Sequence, residues 1–386
     1  MKTPIHWLNR SLILALLTTV PASAETYTWT GAASSEWNDP ANWNPSTGVP
    51  GAADTAIVSS GSPSMAGDVS IARLEFSSGT LTGAGTLTVT NALEWNGVST
   101  MQGGGTTVIG PGAVATLSGD GDRGLTTRTL INQGTLRQLS PCRLTFYGTS
   151  RVENPAGGLV DWQGDVNWTY AGGGDCSVLN AGTFRKSAGP GTSMIQGLIF
   201  DNTGTLGAWQ GILYFTASPS LSPTTTVEFG LAGQTHPNDY GRITCGQSLQ
   251  LAGQLVVVFR KGFVPGPGQR FDVLDAPIQG VFQSYTAPPI SPTVFINPVY
   301  RTDGVSLVTT DPTPTIWGLS RLDSEQQFHL SIRGIANLSY VVLGSTDFEE
   351  WTPLATNAVP ASTLWEFIDV DSATTPYRFY RVFYQP

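Results

Sequence analysis

Three aspartates are the residues whose type and setting best suit chemistry. Asp161, Asp165 and Asp175 stand close in sequence to Trp162, Trp168 and Tyr170. Two carboxylates beside aromatic faces are the equipment of a glycosidase: one carboxyl protonates the leaving oxygen while the other attacks or activates water. A carboxylate cluster could instead hold Ca²⁺ for a polysaccharide lyase. A plainer reading competes. Aspartate beside glycine favours turns, because its side chain bonds its own backbone, and Asp161 and Asp165 stand near Gly164. On that reading, removing both carboxylates costs little stability. Asp120-Gly-Asp122-Arg123 is a second acidic candidate.

Other catalysts are poorly supported. His236 lies in the polar run Gly233 to Asp239, and His329 alternates within a strand-like segment. Neither has a partner that spacing identifies, as general acid–base work requires. No nucleophile elbow, zinc-protease helix, phosphate loop or dinucleotide fingerprint occurs. Cys142, Cys176 and Cys245 are 34 and 69 residues apart, which fits no metal pattern. No metal and no cofactor is therefore expected. The plainer reading of the cysteines is three small buried hydrophobes. Trp29, Trp37 and Trp43 could form a sugar-stacking platform, with Trp162 and Trp168 as further candidates. The competing reading seals the open end of a β fold with the first three.

A repeat supplies the frame for these residues. Leu130-Ile-Asn132-Gln-Gly134-Thr135-Leu136 aligns with Val152-Glu-Asn154 and its Gly157-Gly158-Leu159. It also aligns with Val178-Leu-Asn180-Ala-Gly182-Thr183-Phe184 and Phe200-Asp-Asn202-Thr-Gly204-Thr205-Leu206. The asparagines are 22, 26 and 22 residues apart, a period that marks a solenoid. Short segments rich in Val, Ile, Leu, Thr and aromatics, bounded by Gly, Asn and Pro, make it a β solenoid. Its coils stack about 4.8 Å apart through parallel ladders. Asn132, Asn154, Asn180 and Asn202 are expected at stacked corners, where asparagine tolerates left-handed backbone and pairs its amide with the next coil. The glycine after each is expected to supply a positive-φ bend. Residues 61–230 then make roughly seven coils. Residues 25–60 form an N-terminal cap, and 231–309 a strand-rich end.

The Asn-x-Gly-Thr-Leu/Phe repeat resembles the right-handed parallel β-helix of autotransporter passengers and other exported bacterial surface proteins. The opening series resembles the cap ahead of such repeats: Trp29, Gly31, Trp37, Asn42, Trp43, Pro50, Gly51 and Asp54. The strand-rich stretch around Leu251–Phe259, Phe271 and Phe282 resembles the segment that often succeeds such repeats. The resemblance implies a structural or adhesive surface protein. A polysaccharide lyase or glycoside hydrolase on the same scaffold is the alternative, and a carbohydrate-binding protein the second. An autotransporter ends in a long membrane barrel, and the stretch after residue 310 is too short for one.

Thr309-Thr-Asp-Pro312-Thr-Pro314-Thr reads as a stiff linker at 310–315. Residues 316–386 alternate through about five strands and suggest a small antiparallel sandwich. The series Tyr340, Gly344-Ser-Thr-Asp347-Phe348, Trp351, Asp369 and Arg378-Phe-Tyr-Arg381 resembles a fibronectin-III-like terminal module.

Composition sets the address and the partners. Lys2, Arg10, the apolar run 11–20 and the Ala22-Ser-Ala24 ending read as a secretory signal peptide over 1–24. The protein is therefore expected to be secreted or held at the cell surface. The full chain carries 19 cations and 28 acids; two cations fall in the leader and no acid does, which leaves −11 for the rest. That balance excludes the basic footprint of a nucleic-acid binder. After the leader, no stretch is apolar for long enough to cross a bilayer as a helix. Extracellular polysaccharide or cell-envelope components are the partners that fit. The fold expected is all-β: a right-handed parallel β-helix, then a small antiparallel β-sandwich.

Overall fold

The computed structural model describes residues 24–139, 141–291, 294–316, 321–375 and 377–385. The expected leader lies outside the described residues apart from Ala24. The fold is all-β, with 52% strand and 2% helix, and a parallel β-solenoid of about eight turns runs over residues 55–229.

Each turn passes through three short strands. Arg143–Tyr147 lies on a first face, Arg151–Asn154 on a second and Leu159–Trp162 on a third. Each pairs in parallel with its counterpart one turn on: Asn167–Tyr170, Ser177–Asn180 and Thr183–Lys186. Alternation decides what faces inward. Ser177–Asn180 buries Val178 and Asn180 and leaves Ser177 and Leu179 half exposed. Inward residues from all three faces share one apolar core that runs from Tyr27 to Leu307. The upstream strands Val69–Phe76 and Thr86–Trp95 are longer, and their pairing shifts register partway along.

The repeat glycines do a different job from the one expected. Gly134, Gly158, Gly182 and Gly204 do not take up left-handed backbone. A Cβ on each would stand 2.2–2.3 Å from a carbonyl oxygen of the preceding turn. Glycine is required there because the coils approach closely. The asparagines beside them also keep ordinary φ values, so the expected left-handed corners are corrected for the asparagines and for these glycines; only in the Asn154 repeat does the extra Gly157 take the expected positive φ, 90°.

At the N-terminal end, Thr26–Trp29 pairs in parallel with Thr55–Val58 and antiparallel with Trp43–Asn44. Beyond the eight turns, parallel pairing continues from Thr226–Leu231 to Gln254–Phe259 and Ser284–Thr286. A hairpin then folds back: Gly304–Thr310 lies antiparallel to Arg270–Asp275 and pairs with Phe295–Arg301. Pro298 on that outermost strand lacks a ladder donor, a feature that blunts an edge against further pairing.

The C-terminal residues form two small antiparallel sheets. One holds Thr315–Ile316, Arg321–Leu322, Phe328–Arg333 and Leu364–Asp369; the other holds Ser339–Ser345, Thr352–Ala358 and Phe379–Tyr384. Between them lies a separate core of Leu330, Ile332, Tyr340, Val342, Trp365 and Phe367. Among the described residues, no helix is long and apolar enough to cross a membrane.

Candidate functional site

The three candidate carboxylates belong to different parts of the coil. Asp161 projects from the third face, between the inward residues Val160 and Trp162. Asp165 stands in the turn that leads to the first face, and Asp175 is exposed in the glycine-rich turn before the second. Two of them are already engaged. Asp161 Oδ1 lies 3.5 Å from Arg185 Nε, and its other oxygen accepts from Gln163 at 2.9 Å. Asp165 Oδ1 accepts from Lys186 Nζ at 2.8 Å. Lys186 is fully buried and also donates to the carbonyls of Gly164 and Ala188. Burial lowers its pKa against the pull of Asp165. These carboxylates are therefore not idle turn residues, and the low cost expected for removing both is corrected: losing Asp165 leaves a buried ammonium without its counter-charge. Among the described residues, no group of three or more His, Cys, Asp or Glu side chains is disposed to hold a metal ion. In the second acidic candidate, Asp122 pairs with Arg143 at 3.6 Å.

The tryptophans offered as a sugar platform face the wrong way. Trp29, Trp37 and Trp43 are buried and pack edge to face, with ring centroids 5.0 and 4.7 Å from Trp43. Trp43 Nε1 donates to the Trp37 carbonyl, and the buried Asn42 amide ties the loop through Ala33, Ser34 and Glu36. Trp162 and Trp168 have no exposed surface. They join a column of edge-to-face rings with Phe184, Phe200 and Phe215 along the coil axis. No pyranose reaches any of the five, because alternation turns each one into the core.

The asparagine series is continuous. Asn132 Nδ2 donates to Asn154 Oδ1 at 2.8 Å, Asn154 to Asn180 at 2.7 Å and Asn180 to Asn202 at 2.5 Å. The second amide proton of each of the first three goes to a carbonyl on the next turn: Leu159, Thr183 or Thr205. The column is buried, so every bond is made away from water.

Two arrangements are not apparent from the sequence. Trp209 is clamped between guanidiniums, with Arg185 3.8 Å and Arg260 4.2 Å from its ring centroid, while its Nε1 donates to Glu228 at 2.6 Å. Gly207 and Gly230 leave the room: a Cβ would meet Arg185 at the first, and Arg260 and Trp209 at the second. Both faces of this indole are occupied, which closes it to a sugar. In the C-terminal module, His329 lies between two carboxylates, 2.9 Å from Asp323 and 3.0 Å from Glu366. No local spacing reveals this, because the partners come from a turn and from a strand 37 residues on. His236 bonds the Tyr240 carbonyl, and burial lowers its pKa. The three cysteines are buried and unbridged; burial pushes Cys245 up to about 12.

The chain matches no protein-family model and no curated protein.

Proposed function

We propose that this chain is an exported structural or adhesive protein of a cell surface, with the β-helix as its stalk and the fibronectin-III-like module as an accessory. On this reading it performs no catalysis, and its partners are extracellular polysaccharide or envelope components. One observation carries most of the weight. The carboxylates best suited to sugar chemistry, Asp161 and Asp165, each hold a separate cation, and those cations brace the coil. A retaining or inverting pair needs two carboxyls across one bond, free to exchange protons. The inward tryptophans point the same way.

The test uses the full chain against a panel of polysaccharides, scored for both retention and cleavage. Retention without cleavage is the expected result. The isosteric variant Asp161→Asn keeps an acceptor for Arg185 and leaves the buried Lys186 with its counter-charge Asp165, so its fold is retained. Cleavage by the parent protein, abolished in that variant at unchanged melting temperature, would make the enzyme reading correct.

A further inference from the structure

His329 occupies the central strand of the four-stranded sheet, and its side chain is 10% exposed. Its Nε2 faces Asp323 Oδ2, and its Nδ1 faces Glu366 Oε1. Asp323 comes from the turn before the strand and Glu366 from the neighbouring strand Leu364–Asp369. Across the backbone, Arg321 stands opposite His329 on one side and Ile368 on the other. A neutral imidazole has one N–H, and its other nitrogen is an acceptor. An ionised carboxylate only accepts. A neutral ring would therefore leave one nitrogen lone pair against a carboxylate oxygen. Only a ring protonated at both nitrogens satisfies the two contacts together.

We propose that His329 is a proton-dependent latch: protonated at both nitrogens it pins the 321–327 segment and the strand Leu364–Asp369 to the middle of the sheet, and loss of a proton frees that segment. The backbone pairing of this segment to the sheet is short. Arg321–Leu322 pairs through two residues, Arg321 with His329 and Leu322 with Phe328. Asp323 organises the turn, with Oδ1 accepting from the Glu325 and Gln327 amides at 2.9 and 2.8 Å. Its other oxygen is left for the imidazole. Gln326 holds a left-handed φ of 63° within that turn, a conformation that needs local support. The His329 hydrogen bond is also the largest influence holding Asp323 below the usual carboxylate range. The latch is thus intact while Asp323 is ionised and His329 carries both protons. Its contribution is full below the ordinary imidazole value of about 6.5 and disappears as pH rises through the ring's value in the folded protein.

The experiment takes the full chain. Side-chain ¹⁵N NMR reports the protonation of His329, with His6→Gln and His236→Gln identifying the other two signals. Amide exchange of residues 321–328, corrected for intrinsic rate, reports opening from pH 5.5 to 9. The expected result is a ring protonated at both nitrogens at pH 6, with opening constant at low pH and then rising about tenfold per pH unit beyond the midpoint. Asp323→Asn should lower that midpoint, and His329→Gln should abolish the pH dependence. A singly protonated ring at pH 6, or opening of the parent protein that does not change with pH, overturns the proposal. Both readouts come from the parent protein, so they stand even where a variant fails to fold.

Discussion

Replacing Asn180 by alanine tests whether the buried amide column holds the coils together. Asn180 accepts from Asn154 and donates to Asn202 Oδ1 and to the Thr205 carbonyl. Its loss is asymmetric. Asn154 Nδ2 keeps the Thr183 and Gly158 carbonyls, so it stays satisfied. Asn202 Oδ1 loses its donor in a site closed to water, which costs roughly 1–3 kcal/mol, and the Thr205 carbonyl loses a second bond worth well under that. The sum is about 2–3 kcal/mol. Asn202→Ala should cost a comparable amount, roughly 1–3 kcal/mol, because Asn180 Nδ2 keeps the Thr205 carbonyl but its other N–H loses Asn202 Oδ1 in the same buried column. Asn180→Asp should be worse than alanine at neutral pH. A carboxylate still accepts from Asn154 but sets an oxygen without a proton against Asn202 Oδ1. Acidification should recover part of the loss, since a protonated carboxyl regains a donor. Urea unfolding followed by tryptophan fluorescence at pH 7 and pH 4.5 measures all three, with the buried Trp162 and Trp168 as nearby reporters. The reasoning fails if either Asn180→Ala or Asn202→Ala stays within about 0.5 kcal/mol of the parent.

Two further outcomes are expected from the charged contacts. Burial pushes Asp272 up, but the Ser306 hydroxyl and the Arg270 and Arg301 guanidiniums outweigh it and bring it down to about 2. Its stabilising share is therefore complete above the ordinary carboxylate value of about 3.9 and is lost as pH falls through about 2; an acid titration of stability should lose that component in Asp272→Asn. Trp209→Ala should cost about 2–3 kcal/mol by removing both cation stacks and the Glu228 bond, whereas Trp209→Phe keeps the stacks and should cost about 1 kcal/mol, both read by thermal unfolding.

The solenoid is legible because its period is written in residues that must recur together. Asn180 needs Asn202 opposite it, and position 182 needs glycine because the Gly158 carbonyl stands where a Cβ would press against it. The reason for the glycines was not legible. A close approach between turns and a positive φ select the same residue, and only the three-dimensional structure tells them apart. The tryptophans show the same limit from the other side. Trp162 ends a strand of alternating residues, so its face depends on register, and a shift of one residue would have exposed it. The carboxylates are harder still. Asp161 and Asp165 are four apart in sequence, yet a strand end and a corner separate them, and their cations arrive from the next turn.

The few buried cations have a structural task. Arg123, Arg128 and Lys186 are fully or almost fully buried in a chain where charged residues are scarce. Each answers a need created by the coil. Where the chain turns a corner between faces, carbonyls leave the ladder and point into space closed to water. Arg128 reaches the Gly83, Gly85, Gln102 and Thr106 carbonyls, three of them at 2.9–3.2 Å, and also donates to Thr107 Oγ1. Arg123 collects the carbonyls of Trp95, Ser118, Gly119 and Gly121. A planar fork of five donors can satisfy several carbonyls from neighbouring turns at once. Burial lowers the pKa of Arg128 to about 10, which still leaves it charged at neutral pH. Among the described residues neither guanidinium forms an ion pair with a carboxylate, so carbonyl dipoles carry the compensation. Lysine at either position would keep the charge but offer only three donors from a single point, leaving corner carbonyls unmet. These buried cations are thus the fasteners between turns, and the pairs Asp161 with Arg185 and Asp165 with Lys186 belong to the same structural system.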